Sequence, residues 1–240
     1  MVRATAAILA VTLAFLLTGA GAQELPTITV GLTPSDDATP ALYAAHAGLF
    51  RRAGLNVELQ KAPNGAAGTA AVIGGTYQFA DTNLLTVITG HIKGVPVELA
   101  APGIVYNSTT EWVAGVVRAD SKVTTGRDLN GRTIGVASIG DQNAIAITSW
   151  IDQHGGDSHT VKMVEIPYSL TAAALEEGRI DASVLLQPFL SPAVAGGKIR
   201  IFAKVFDAIS ARFQMTAWIT NANWAAANPD VVRRFARVIS

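Results

Sequence analysis

Six short polar stretches carry most of the residues that could do chemistry. They are Thr33 to Asp37, with Pro34, Ser35, Asp36 and Asp37; Pro63 to Thr69, with Gly65, Gly68 and Thr69; Asp81 to Asn83; Tyr106 to Ser108, with Asn107; Ser138 to Asn143, with Ser138, Asp141, Gln142 and Asn143; and Gln187-Pro188. Hydroxyls, amides, carboxylates and glycine backbone are equipment for holding a polar solute by hydrogen bonds. Two of the stretches, 63–69 and 138–143, lead into helix-like runs. A helix N-terminus presents free N–H groups and a partial positive charge, so it can hold an anion without Lys or Arg. Gly65 and Gly68 would let a ligand approach the backbone, and Thr69 adds a hydroxyl. Each stretch also reads as ordinary capping, with Asn64 and Asp141 as the N-caps.

Catalytic patterns are absent from the sequence. There is no G-x-S-x-G, no G-x-G-x-x-G and no P-loop. The four histidines are scattered, and His154 and His159 are five apart across two glycines, which is not helical metal-ligand spacing. The chain has no cysteine, which excludes disulfides, thiol catalysis and thiolate metal sites. We therefore expect no catalytic residue, no metal and no cofactor. A formal net charge of zero gives no reason to expect nucleic acid as a partner.

The polar stretches are separated by elements that alternate between strand and helix. TITVGL (27–32) reads as a buried strand, ATPALYAAHAGLF (38–50) as a helix, LNVELQ (55–60) as a strand and GAAGTAAVIGG (65–75) as a short helix. YQFA, a helix from Thr82 and VPVELAA (95–101) complete the first half. The order then recurs. Gly31 and Gly135 are 104 positions apart, as are Pro63 and Pro167, while Gly75 and Gly178 are 103 apart. A near-constant offset implies two similar α/β lobes. The linker runs near Thr109 to Asp128 and includes the strand-like WVAGVV (112–117). TAWITN (216–221) has no counterpart in the first half. Asn228-Pro229 then opens a helix whose stripe is Val231, Val232, Phe235, Val238 and Ile239. The expected division is 23–111 as lobe one, 112–221 as lobe two with hinge strands, and 222–240 as a helix returning to lobe one. Two crossings make a hinge, and ligands of open α/β sheets bind beyond the carboxyl ends of the strands. The six polar stretches are the loops at those ends.

Residues 1–22 form a separate unit. Arg3 precedes an apolar run, and Ala20-Gly21-Ala22 matches a cleavage site. We read a signal peptide cleaved after Ala22 and a soluble, extracytoplasmic mature chain, which is not a lipoprotein because no cysteine stands at the cleavage point.

ITVGLTPSDDATPALYAAHAGLFRRAGLNVELQKAPNGAAGTAAVIGGTYQFA, GVPVELAA, DLNGRTIGVASIG, AALEEGRIDASVLLQP and NPDVVRRFARVI together resemble the substrate-binding proteins of nitrate/taurine/alkanesulfonate-type ABC importers. The most specific stretches are the helix followed by GLF, a basic turn and GLNVEL, and ALEEGRIDA with its later QP. The resemblance covers nearly all of residues 27–240. It implies the type II periplasmic-binding fold: two α/β lobes, a two-crossing hinge and a ligand cleft between them. It implies a small-molecule ligand, an ABC permease and ATPase as partners, a monomer and a periplasmic location. It implies ligand contacts at Pro34 to Asp37, at Gly65, Gly68 and Thr69, at Ser138 to Asn143 and at Gln187-Pro188. The same cleft would serve a ligand-sensing receptor. A related fold group includes pyrimidine-precursor synthases, which depend on a cysteine-rich iron motif that this chain lacks.

Three departures from that family pattern stand out. The family places Asp after G-x-[YI] in both lobes, whereas lobe one here has Gln78, with Asp81 three positions later. Members continue through further helices after NPDVV, so the resemblance implies a lobe one truncated in its C-terminal part. Asp36, Asp37, Asp81 and Asp141 all fall on cleft loops with almost no basic residue beside them. A zwitterion, an amine-bearing anion or a neutral heterocycle would suit these loops better than bare nitrate.

Overall fold

Two five-stranded sheets with a common strand order organise residues 25–240, the part of the chain that the computed structural model describes. The expected signal peptide and its cleavage point lie outside the described residues. The elements run β1 (Thr27–Leu32), α1 (Thr39–His46), α2 (Leu49–Arg52), β2 (Asn56–Lys61), α3 (Gly65–Ile73), β3 (Phe79–Asn83), α4 (Leu84–Ile92) and β4 (Val97–Pro102). Next come β5 (Val105–Asn107), β6 (Val113–Arg118), β7 (Thr133–Val136), α5 (Gln142–Gln153), β8 (Lys162–Glu165), α6 (Tyr168–Glu176), β9 (Ala182–Leu186), α7 (Leu190–Ala195) and β10 (Ile199–Ala203). The chain closes with β11 (Arg212–Gln214), β12 (Thr216–Asn221), α8 (Ala222–Ala227) and α9 (Pro229–Ile239).

The first sheet has the order β2-β1-β3-β12-β4, and the second, read from its other end, β8-β7-β9-β6-β10. Each begins with a parallel trio and continues with an antiparallel strand. The chain exchanges those antiparallel strands between lobes. WVAGVV, expected in the linker, forms β6 inside the second sheet. TAWITN, expected among the hinge strands of lobe two, forms β12 inside the first sheet, between β3 and β4. They are counterparts, hidden from a linear repeat because one precedes its trio and the other follows both. The exchange requires two crossings. Their short strands β5 and β11 pair with each other as an antiparallel ribbon, Tyr106 opposite Phe213.

The repeat holds at the level of register. Gly31 pairs with Gln60 and Ala80, while Gly135 pairs with Val164 and Ser183. Both glycines are needed for space. A Cβ on Gly31 would stand 2.5 Å from the Tyr77 ring, and one on Gly135 2.7 Å from Ile180 Cδ1. The departure at Gln78 keeps its role: its Oε1 accepts the Thr29 N–H at 2.8 Å, as Asp181 Oδ2 accepts the Thr133 N–H at 2.9 Å.

Each sheet has its own core. In the first lobe Phe235 of α9 stacks on Phe79 at 3.9 Å and on Phe50 at 5.9 Å, and meets Trp218 edge-on. Val231, Phe235 and Ile239 are the buried part of the α9 stripe. Asn228 does not cap α9 through its side chain, which donates to the Trp224 carbonyl instead. The second core is mainly aliphatic, built on Leu129, Ile134, Ile147, Ile151 and Val184. The helix expected over 38–50 is broken at Gly48, whose φ of 68° is left-handed and easily reached only by glycine.

Candidate functional site

Four helices begin at one cleft between the sheets. Their first or capping residues Gly65, Asn83, Gln142 and Tyr168 line it, from α3, α4, α5 and α6. This follows from topology: each helix continues from the carboxyl end of a parallel strand, and those ends face the gap. Asn64, Asn83 and Asp141 cap their helices, accepting from the N–H groups of Ala67, Thr86 and Ala144, each at 2.9 Å. Gly65 lets α3 start against β3, because a Cβ there would meet Thr82 Oγ1 at 2.7 Å.

Among the described residues three carboxylates line the cleft, and no Lys, Arg or His does. Asp81 is buried and accepts the Thr33 N–H at 2.7 Å. Burial pushes its pKa up from the usual carboxylate range to about 6, with the Thr33 N–H acting in the opposite direction. Asp37 is also buried and accepts from Ser35 Oγ. Burial raises its pKa well above the ordinary value, and the neighbouring Asp81 charge adds to the effect. Asp141 is pushed up by burial to about 6, against the N–H groups of α5 that favour its charged form. Tyr168 is raised by burial first, then by the charges of Asp141, Asp37 and Asp81, so all three carboxylates act on one hydroxyl. That hydroxyl accepts from Asn143 Nδ2 at 2.7 Å.

The two lips touch. Asn64 Nδ2 donates to the Ala137 carbonyl at 3.1 Å, and the Asp36 N–H donates to the Gln187 carbonyl at 3.2 Å. The room left between the walls is about 40 Å³, the space of a few water molecules.

Of the residues singled out in sequence, Ser35, Asp37, Gly65, Asp81, Asn83, Ser138, Asp141, Gln142 and Asn143 line the cleft. Six stand elsewhere. Pro34 is exposed and borders a shallower hollow with Lys61, Pro63 and Phe189. Asp36 is exposed and meets the other lobe through its backbone. Gly68 packs on Ala80, and Thr69 bonds back to the Gly65 carbonyl and to Thr82. Asn107 closes a turn in the hinge ribbon by accepting from Thr109. The Gln187 side chain turns away to Ser191. Lining residues that sequence reasoning passed over include Tyr168, Met215 and Thr216. Tyr168 had a signal available: it follows Pro167 as Asn64 follows Pro63.

Among curated protein sequences none matches this chain. Solved structures do. The alkanesulfonate-binding protein SsuA from Xanthomonas axonopodis pv. citri, bound to MOPS, superposes with a TM-score of 0.77 at 15% identity, over 91% of this chain and 73% of that one. SsuA from Escherichia coli, a periplasmic aliphatic sulphonate binding protein, gives 0.71 at 16%, over 89% and 71%. The periplasmic nitrate-binding protein NrtA from Synechocystis PCC 6803 gives 0.74 at 16%, over 90% and 60%. These likenesses establish the two-lobed, type II periplasmic-binding fold. The NMT1/THI5-like family model matches residues 35–240, and the chain belongs to that family.

Proposed function

We propose that this protein is an extracytoplasmic solute-binding receptor that captures a small organic anion or zwitterion and delivers it to an ABC importer in the membrane. The observation that carries the reading is the cleft: four helix starts and three carboxylates face one another across two lobes joined by a two-stranded ribbon. About 40 Å³ between the walls admits a solute only when the lobes part. Binding energy would then bias an open–closed equilibrium, and the closed form would be the one the importer reads. The sulfonate- and nitrate-binding neighbours support a solute as the cargo. Among the described residues no helix is long and apolar enough to cross a membrane. The sequence of residues 1–22 supports export.

A thermal-shift screen with zwitterions, sulfonates, nitrate and aminopyrimidines tests the reading. A ligand that binds only the folded chain raises the melting temperature with concentration. At least one such solute is expected; a flat response across all four classes contradicts the proposal.

A further inference from the structure

We propose that the solute is a small molecule with a protonated amine at one end and a hydrogen-bond acceptor at the other, the amine held by Asp37 and Asp81 and the acceptor met by Gln142. This rests on the solute-binding reading above. Among the described residues the only ionisable side chains lining the cleft are the three aspartates and Tyr168. Buried carboxylates are costly unless a cation or several N–H donors answer them. Asp141 is already engaged as the cap of α5, and Asp81 uses one oxygen on Thr33. Asp37 has only the Ser35 hydroxyl. The Asp37–Asp81 side therefore has the most acceptor capacity to offer.

An independent observation comes from the facing wall. Gln142 is only 6% exposed, lines the cleft, and its Nε2 has no hydrogen-bond partner. An unpaired buried donor is expensive, and a ligand acceptor placed against it recovers the loss. Among the described residues no three His, Cys, Asp or Glu groups are arranged to hold a metal ion. Nitrate or a plain sulfonate answers Gln142 and repels the aspartates. A simple alkylamine does the reverse. Only a molecule with both ends satisfies both walls.

Calorimetric titration of the full chain separates these cases. The two-ended solutes are β-alanine and ethanolamine; the one-ended ones are ethylamine, propionate, ethanesulfonate and nitrate. At least one two-ended solute is expected to bind, about tenfold or more tighter than any one-ended one. Asp37→Asn should weaken it by about tenfold or more while leaving ethanesulfonate no weaker. Gln142→Leu should weaken the two-ended solute and leave ethylamine unchanged. Asp81→Asn supplies a second test of the amine side if Asp37→Asn does not fold, which the melting curve reports. Ethanesulfonate or nitrate binding as tightly as the best two-ended solute overturns the inference and leaves the solute-binding reading standing. Ethylamine binding as tightly does so for the acceptor half. Silence from all six overturns the inference, and the reading falls with it only if the wider solute screen is also flat.

Discussion

The two lobes share a scaffold almost residue for residue and then part company at the cleft. Gly31 and Gly135 occupy the same register, and Gln78 and Asp181 receive the same backbone N–H. One turn further on, Asp37 and Asp141 also lie 104 positions apart, as do Asn64 and Tyr168. All four line the cleft. Yet the two aspartates do different work. Asp141 directly caps α5, so its carboxylate serves the fold. Asp37 sits in a 3-10 turn ahead of α1, where α1 takes no side-chain cap, so its carboxylate remains for a ligand. Likewise Asp81 in β3 opposes Trp218 in β12, while the next residue after Ser183 in the other lobe is the buried Val184. Duplication supplies the frame, and a few side chains at strand ends give lobe one two cleft carboxylates and lobe two a single one, already used as a helix cap.

Breaking the shared frame should cost most. Gly31→Val and Gly135→Val each force a side chain against Tyr77 or Ile180, and each should lose about 1–3 kcal/mol in urea unfolding. Loss in only one of them would break the structural equivalence. A smaller effect separates the paired aspartates. Asp141→Ala removes a helix cap and should cost about 1 kcal/mol, whereas Asp37→Asn removes a buried charge and should leave the ligand-free melting temperature unchanged or higher. Equal losses would erase the proposed division of labour.

The smallest expected effect is on pH. Asp81 and Asp141 have folded pKa values of about 6 against an ordinary 3.8, so the folded state binds protons more tightly than the unfolded chain. Their effect on stability is therefore most favourable at low pH and is lost as pH rises through 6. Asp37 shifts in the same direction. Asp128, held down to about 2 by Thr124 and Thr125, acts below this window. The ligand-free melting temperature should be higher near pH 5 than near pH 7.5, and Asp81→Asn should flatten the difference. A rise toward pH 7.5 would contradict the assigned burial of these acids.

Much of the fold was legible because glycine spacing and strand patterns record backbone geometry. Gly31, Gly135, Gly75 and Gly178 mark positions where a side chain would clash or where φ is positive. The strand exchange was not legible, because β6 and β12 differ in chain order and each reads only as a short buried strand. At the site, loop membership could be read but side-chain aim could not. Gly68 and Thr69 fall inside α3 and pack against β3, while Gln187 lies on a cleft loop but turns its side chain to Ser191. Tyr168 reaches the cleft because α6 begins there.

The central claim is that two lobes close on a solute, and a distance across the lips tests it most directly. Lys61 and Ser169 are exposed and border the hollow where the lips meet. The chain has no cysteine of its own, so the pair Lys61→Cys and Ser169→Cys accepts two spin labels without interference. Pulsed dipolar spectroscopy should show a broad or longer distance without ligand. It should narrow to a short one when the solute with the largest thermal shift is saturating. One unchanged distribution under both conditions would contradict closure, and with it the account of how this cleft works.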